Sequence, residues 1–109
     1  MIETVAEAQK QEFTLPEFKQ WRTFARSING YKIAEELGLD FGKWTVEQVK
    51  HWKETNHWDL DILQLRIMLF YAFRSDYMTG YTYTEHDEMA DSLLQAISKK
   101  SGHPYTPKQ

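Results

Sequence analysis

Cysteine is absent from this 109-residue chain, which excludes disulfides and thiolate zinc sites and leaves no oxidised framework to argue for secretion. Glycine and proline are scarce, at 5 and 3 residues. No glycine-rich phosphate cradle and no Gly-x-Ser-x-Gly elbow can be built from them. There is no excess of positive charge either. The formal net charge is −3, which argues against a protein that coats nucleic acid through bulk charge. Long apolar runs are missing: the longest is Ile67-Met68-Leu69-Phe70-Tyr71-Ala72-Phe73, whereas a bilayer span needs ~20 residues. The opening Met1-Ile2-Glu3-Thr4-Val5-Ala6-Glu7 carries acids and has neither the basic leader nor the apolar stretch of a signal peptide. A soluble, cytoplasmic protein with no membrane partner is expected.

What is present is a globular composition, 41% hydrophobic and 27% charged, with aromatics high at 15%. At this length one domain spanning 1–109 is expected, with enough core to fold without staples. Its class reads as all-α, a compact bundle of about five helices, because no credible hairpin is found and apolar residues recur at helical spacing. Residues 1–12 carry a weak stripe and are expected to form a frayed helix. Thr14, Pro16 and Glu17 read as a capping box opening a helix with Phe18, Trp21, Ala25 and Ile28 on one face, ended by Asn29-Gly30. A short helix from Tyr31 to Leu37 stops at Gly38, and Thr45 with Gln48 reads as the next cap. Asp59 or Asp61 caps a helix over about 60–77 that is apolar on nearly every face, and therefore central and most buried. Tyr81-Thr82-Tyr83 reads as loop, Thr84 as the cap of the last helix with Asp87 answering it, and 102–109 as an extended tail.

Catalytic and cofactor chemistry finds little footing in these residues. His51, Glu54 and His57 lie within two helical turns, but at 100° per residue they fan over about 120° of the helix, poor convergence for one ion. The acids and histidine at 85–88 are explained by the dipole of the helix they open. No catalytic residue, cofactor or metal site is therefore expected. Arg66 and Arg74 sit on the most apolar helix, and acids from the last helix are expected to pair with them.

Charge is segregated along the chain. Residues 19–53 hold seven basic side chains against four acids, and residues 59–91 hold two against seven. Lys19, Arg22 and Arg26 form one basic stripe, and Lys50, Lys53 and His57 repeat its spacing. Such a dipolar surface steers a charged partner. Tyr77, Tyr81 and Tyr83 cluster near Met78 and Arg74, residue types enriched where proteins meet. Four tryptophans are many for one small core, which points to a homo-oligomer.

Two stretches resemble known families. Ile33-Ala34-Glu35-Glu36-Leu37-Gly38-Leu39-Asp40 followed by Thr45-Val46-Glu47-Gln48-Val49 resembles a helix-turn-helix DNA-binding unit, with a turn about two residues longer than usual. That resemblance implies DNA contacts from Lys43, Gln48, Lys50 and His51. Trp44 to Trp52 is similar to the opening of sterile-alpha-motif interaction domains, which are helical bundles. Both likenesses are local, and neither makes the chain a member of the family. The expected function is non-catalytic binding of another protein, as an adaptor, inhibitor or regulatory subunit. Its candidate contact residues are Lys19, Arg22, Arg26, Lys43, Lys50, Lys53, Tyr77, Tyr81 and Tyr83. The alternative is a helix-turn-helix-like DNA-binding regulator that uses the basic 19–53 region.

Overall fold

The computed structural model describes residues 1–39, 46–74 and 83–107. The protein is all-α. In chain order its helices are α1 (Val5–Lys10), α2 (Trp21–Ala25), α3 (Gly30–Leu37), α4 (Val46–Thr55), α5 (Ile62–Arg74) and α6 (Tyr83–Ser101). A 3-10 turn, Phe18–Gln20, runs into α2.

The middle of the bundle is α5. Every position from Leu65 to Phe70 is buried, as is Ala72, because α2, α3 and α6 each pack on it. A helix that is apolar all round has no wet face to spare, so neighbours must cover it on several sides. Opposite it, α6 buries Met89, Leu93, Leu94 and Ile97 completely, the stripe its spacing dictates. Asp61 starts α5 through a reciprocal box: its carboxylate accepts from the Gln64 N–H at 2.8 Å, and the Gln64 side chain accepts from the Asp61 N–H at 3.1 Å.

The N-terminal third departs from the sequence reading. Residues 11–17 form no helix and no side chain caps the turn at Phe18, so the helix expected after Thr14 shrinks to Trp21–Ala25. A backbone bridge competes with that helix. Ile2 donates to the Ser27 carbonyl at 3.1 Å and accepts from the Asn29 N–H at 2.6 Å, which holds the chain extended after α2. Residues 1–12, expected to fray, are tied at further points. The Thr4 hydroxyl accepts from the Glu7 N–H at 3.1 Å and donates to the Glu7 carboxylate at 3.0 Å, and the Val5 N–H donates to Glu36 at 2.9 Å.

Helix ends differ in instructive ways. Asn29 caps α3 by accepting from the Lys32 N–H, so it begins a helix and does not end one. Gly38 closes α3 at φ 69°, a left-handed conformation that costs glycine nothing. Helix α6 opens at Tyr83, one residue before its expected cap Thr84, so Tyr83 belongs to the helix and not to a loop. The expected Thr45 cap and residues 75–77 of the fourth expected helix lie outside the described residues.

A chain of polar side chains joins α4, α6 and the tail. Trp58, buried after α4, donates from Nε1 to Ser92 Oγ at 2.7 Å, and Ser92 donates to Asn56 Oδ1 at 3.0 Å. Asn56 donates on to Gln95 at 3.1 Å, Gln95 to Asp91 at 2.8 Å, and the Tyr105 hydroxyl closes the chain on Asp91 at 2.6 Å. Among the described residues, no helix is long and apolar enough to cross a membrane.

Candidate functional site

Where α3 begins and α5 ends, aromatic rings meet at the surface. Asn29 and Gly30 place Tyr31 on the first turn of α3, and the backbone of Gly30 sits directly against the Phe70 ring. That close approach leaves Tyr31 lying over the last turn of α5. Its ring stands edge-on to Phe70 at 5.1 Å and to Tyr71 at 5.3 Å between centroids. Both are the tilted arrangements that aromatic quadrupoles favour. The Arg74 guanidinium lies 5.9 Å from the Tyr31 ring centre, and Arg26 lies 5.9 Å from that of Phe73. Tyr31 remains 41% exposed in spite of these neighbours. The result is an aromatic and cationic surface of phenol rings, phenol hydroxyls and guanidinium groups.

The residues singled out in the sequence scatter around the molecule. Lys19, Arg26 and Lys50 are exposed. Arg22 is drawn inward, stacked on Trp21 at 4.6 Å and ion-paired with Asp87 of α6 at 2.9 Å. Lys53 pairs with Glu88, also of α6, at 3.3 Å. The segregated charges therefore partly face each other across the fold, and both pairs join the basic region to the acidic one. Asp87 also accepts from Trp21 Nε1 at 3.1 Å, so it bridges α2 and α6. Tyr83 lies in α6, whereas Lys43, Tyr77 and Tyr81 lie outside the described residues. Trp21 and Trp58 belong to the core and Trp52 packs on Trp58 at 5.7 Å, which removes most of the tryptophan argument for an oligomer.

Arg66 does not pair with an acid of the last helix. It is 3% exposed, and its guanidinium lies against the adjoining rings of Phe13 and Phe24, 5.1 and 4.9 Å from their centres, which are themselves 5.9 Å apart. Nη1 donates to Gln11 Oε1 at 2.8 Å and Nη2 to Ser27 Oγ at 2.9 Å, while Nε has no acceptor. No carboxylate forms an ion pair with it among the described residues. Burial lowers its pKa from the ordinary guanidinium value to about 10, so it remains cationic at neutral pH. Its partners are not legible in the sequence, because Gln11 falls in the 1–12 stretch expected to fray and Phe13 just before the expected Thr14 cap, and neither carries a pattern that points to the middle of the bundle.

Among the described residues, no three histidine, aspartate or glutamate side chains converge to hold a metal ion. His51, Glu54 and His57 are all exposed. His86 is buried and donates from Nδ1 to the Ala72 carbonyl at 3.0 Å, an acceptor-only partner that fixes the proton on that nitrogen. Comparison with known proteins found no matching family model, no matching curated protein and no matching solved structure.

Proposed function

We propose that this is a non-catalytic helical binding protein of the cytoplasm, an adaptor, inhibitor or regulatory subunit that engages another protein through the surface around Tyr31, Tyr71 and Arg74. The observation that carries the reading is Tyr31: a large ring already in contact with two others, with a guanidinium over it, yet 41% exposed. Tyrosine and arginine are the residue types that concentrate binding energy in interfaces, since each brings a large, stiff contact area together with hydrogen-bonding groups. Phe70 beneath, 5% exposed, keeps the platform rigid before a partner arrives, so little side-chain entropy remains to be lost.

The test is capture from native lysate with the wild-type chain, Tyr31→Ala and Arg74→Glu, each with and without nuclease. A stoichiometric protein that survives nuclease and is lost with either variant, at unchanged helical circular dichroism, is the expected result. Capture that neither variant weakens overturns the reading. Recovery of nucleic acid alone would favour DNA binding by the basic 19–53 region. Affinity would then fall steeply with salt and weaken on joint Lys50→Glu and Lys53→Glu substitution.

A further inference from the structure

Arg66 lies at the inner end of a cleft between α1 and α5, with a volume of about 210 Å³, walled by Ala8, Gln11, Phe13, Ile62 and Leu63. These five wall residues are half-buried, so the cleft opens to solvent while the cation at its end does not. A buried charge calls for a counter-charge, and neither of Arg66's two hydrogen-bonding partners, an amide and a hydroxyl, carries one. Its Nε–H is a donor with no acceptor, a rarity among buried groups. Gln11 stands at the C-terminal end of α1, so one wall of the cleft is a six-residue helix with no buried residue.

We propose that this cleft binds a short aliphatic monocarboxylate, with the carboxylate on the Arg66 guanidinium and the hydrocarbon chain against Phe13, Ile62 and Leu63. A carboxylate carries the missing charge and offers two oxygens to a guanidinium that has an unused donor. The size agrees. A dry cavity of about 150 Å³ holds benzene, and 210 Å³ is roughly seven waters' share of liquid volume, room for a chain of a few carbons. The apolar walls select against inorganic anions, which would leave Ile62 and Leu63 facing water or an ion. This inference does not depend on the surface around Tyr31.

The test is titration of the full chain with sodium hexanoate and, separately, with hexanol, followed by heteronuclear NMR that includes arginine Nε–H signals. Saturable shifts confined to 8–13 and 62–66, with the Arg66 Nε–H among them, are expected for hexanoate. Hexanol should bind roughly tenfold or more weakly, because it lacks the charge-assisted hydrogen bonds. Leu63→Trp, which fills the cleft and leaves Arg66 in place, should abolish the hexanoate shifts. Failure of hexanoate to saturate, equal affinity for the alcohol, or unchanged binding in Leu63→Trp would each overturn the proposal. The first two comparisons use the wild-type chain and do not depend on any variant folding.

Discussion

Gly30 and Phe70 are in direct contact: a Cβ on Gly30 would lie 2.7 Å from Cγ of the Phe70 ring. Gly30 opens α3 without a positive φ, so glycine is needed here for space and not for backbone freedom. Gly30→Ala therefore sets two effects against each other. Alanine gains up to about 1 kcal/mol of helix propensity. Driving a methyl into a ring that is itself 5% exposed costs about 1–3 kcal/mol. Overpacking should win, and chemical denaturation should show a lower midpoint with an unchanged slope. A midpoint at or above wild type would mean that the Phe70 ring moves aside cheaply.

Asp87 holds α2 to α6 with one carboxylate oxygen that accepts from both Trp21 and Arg22. Asp87→Ala leaves the indole N–H of the fully buried Trp21 without this acceptor and should cost about 1–3 kcal/mol. Asp87→Asn keeps an acceptor oxygen and loses the charge, so its loss should be smaller. The ion pair itself is partly exposed, at 37% and 24% for the two side chains, and is worth less than about 1 kcal/mol. High salt should accordingly narrow the difference between Asp87→Asn and wild type only slightly. If the two variants lose equal stability, charge and not the Trp21 hydrogen bond is what matters.

Ser92→Ala tests the polar chain at its most buried link. Trp58 is 2% exposed and its Nε1 would lose its acceptor, while Asn56 would lose the donor that approaches its Oδ1. A cost of about 1–3 kcal/mol is expected, together with altered tryptophan fluorescence in the native state. Native fluorescence and stability identical to wild type would show that water replaces the hydroxyl.

These elements also show where local sequence signals carried the fold and where they did not. The apolar run from Ile67 to Phe73 marked α5 as central because no arrangement of such a helix leaves a face to water. The Gly38 stop was legible because a left-handed residue at a helix end has few chemical solutions. Thr4-x-x-Glu7 has the sequence of a capping box, although the Glu7 carboxylate accepts here from the Thr4 hydroxyl and not from its backbone N–H. The pairing of Ile2 with Ser27 and Asn29 was not readable, since a single bridge has no periodicity. That bridge shortened α2 and made Asn29 a start signal. The placement of Tyr31 was not readable for the same reason: it follows from the contact of Gly30 with Phe70, about forty residues away in sequence, which no local pattern records.

Tyr105 supplies a pH-dependent test of the same polar chain. Its burial, and then its hydrogen bond to and repulsion by the Asp91 carboxylate, push the phenol well above its usual range. The unfolded chain releases this proton near the ordinary phenol value of about 10. Above that pH the native state holds more protons than the unfolded state, so stability falls as pH rises; below it the contribution of Tyr105 is fully present. Arg66 acts in the opposite sense, because burial lowers its pKa to about 10 and its desolvation cost is relieved as pH rises past that value. A single alkaline melt of the wild-type chain would mix the two effects. Tyr105→Phe separates them, because Arg66 is common to both proteins. The variant should be less stable than wild type near neutrality by about 1 kcal/mol, the scale of one hydrogen bond to a charged acceptor that is partly open to water. That deficit should shrink as the pH is taken about one unit past the ordinary phenol value of about 10, because only the wild type then has a proton to lose on unfolding. Urea midpoints on both sides of that value measure it directly. A deficit that stays constant across the alkaline range would mean that Tyr105 titrates normally in the folded protein and that its contact with Asp91 is too weak to hold the proton.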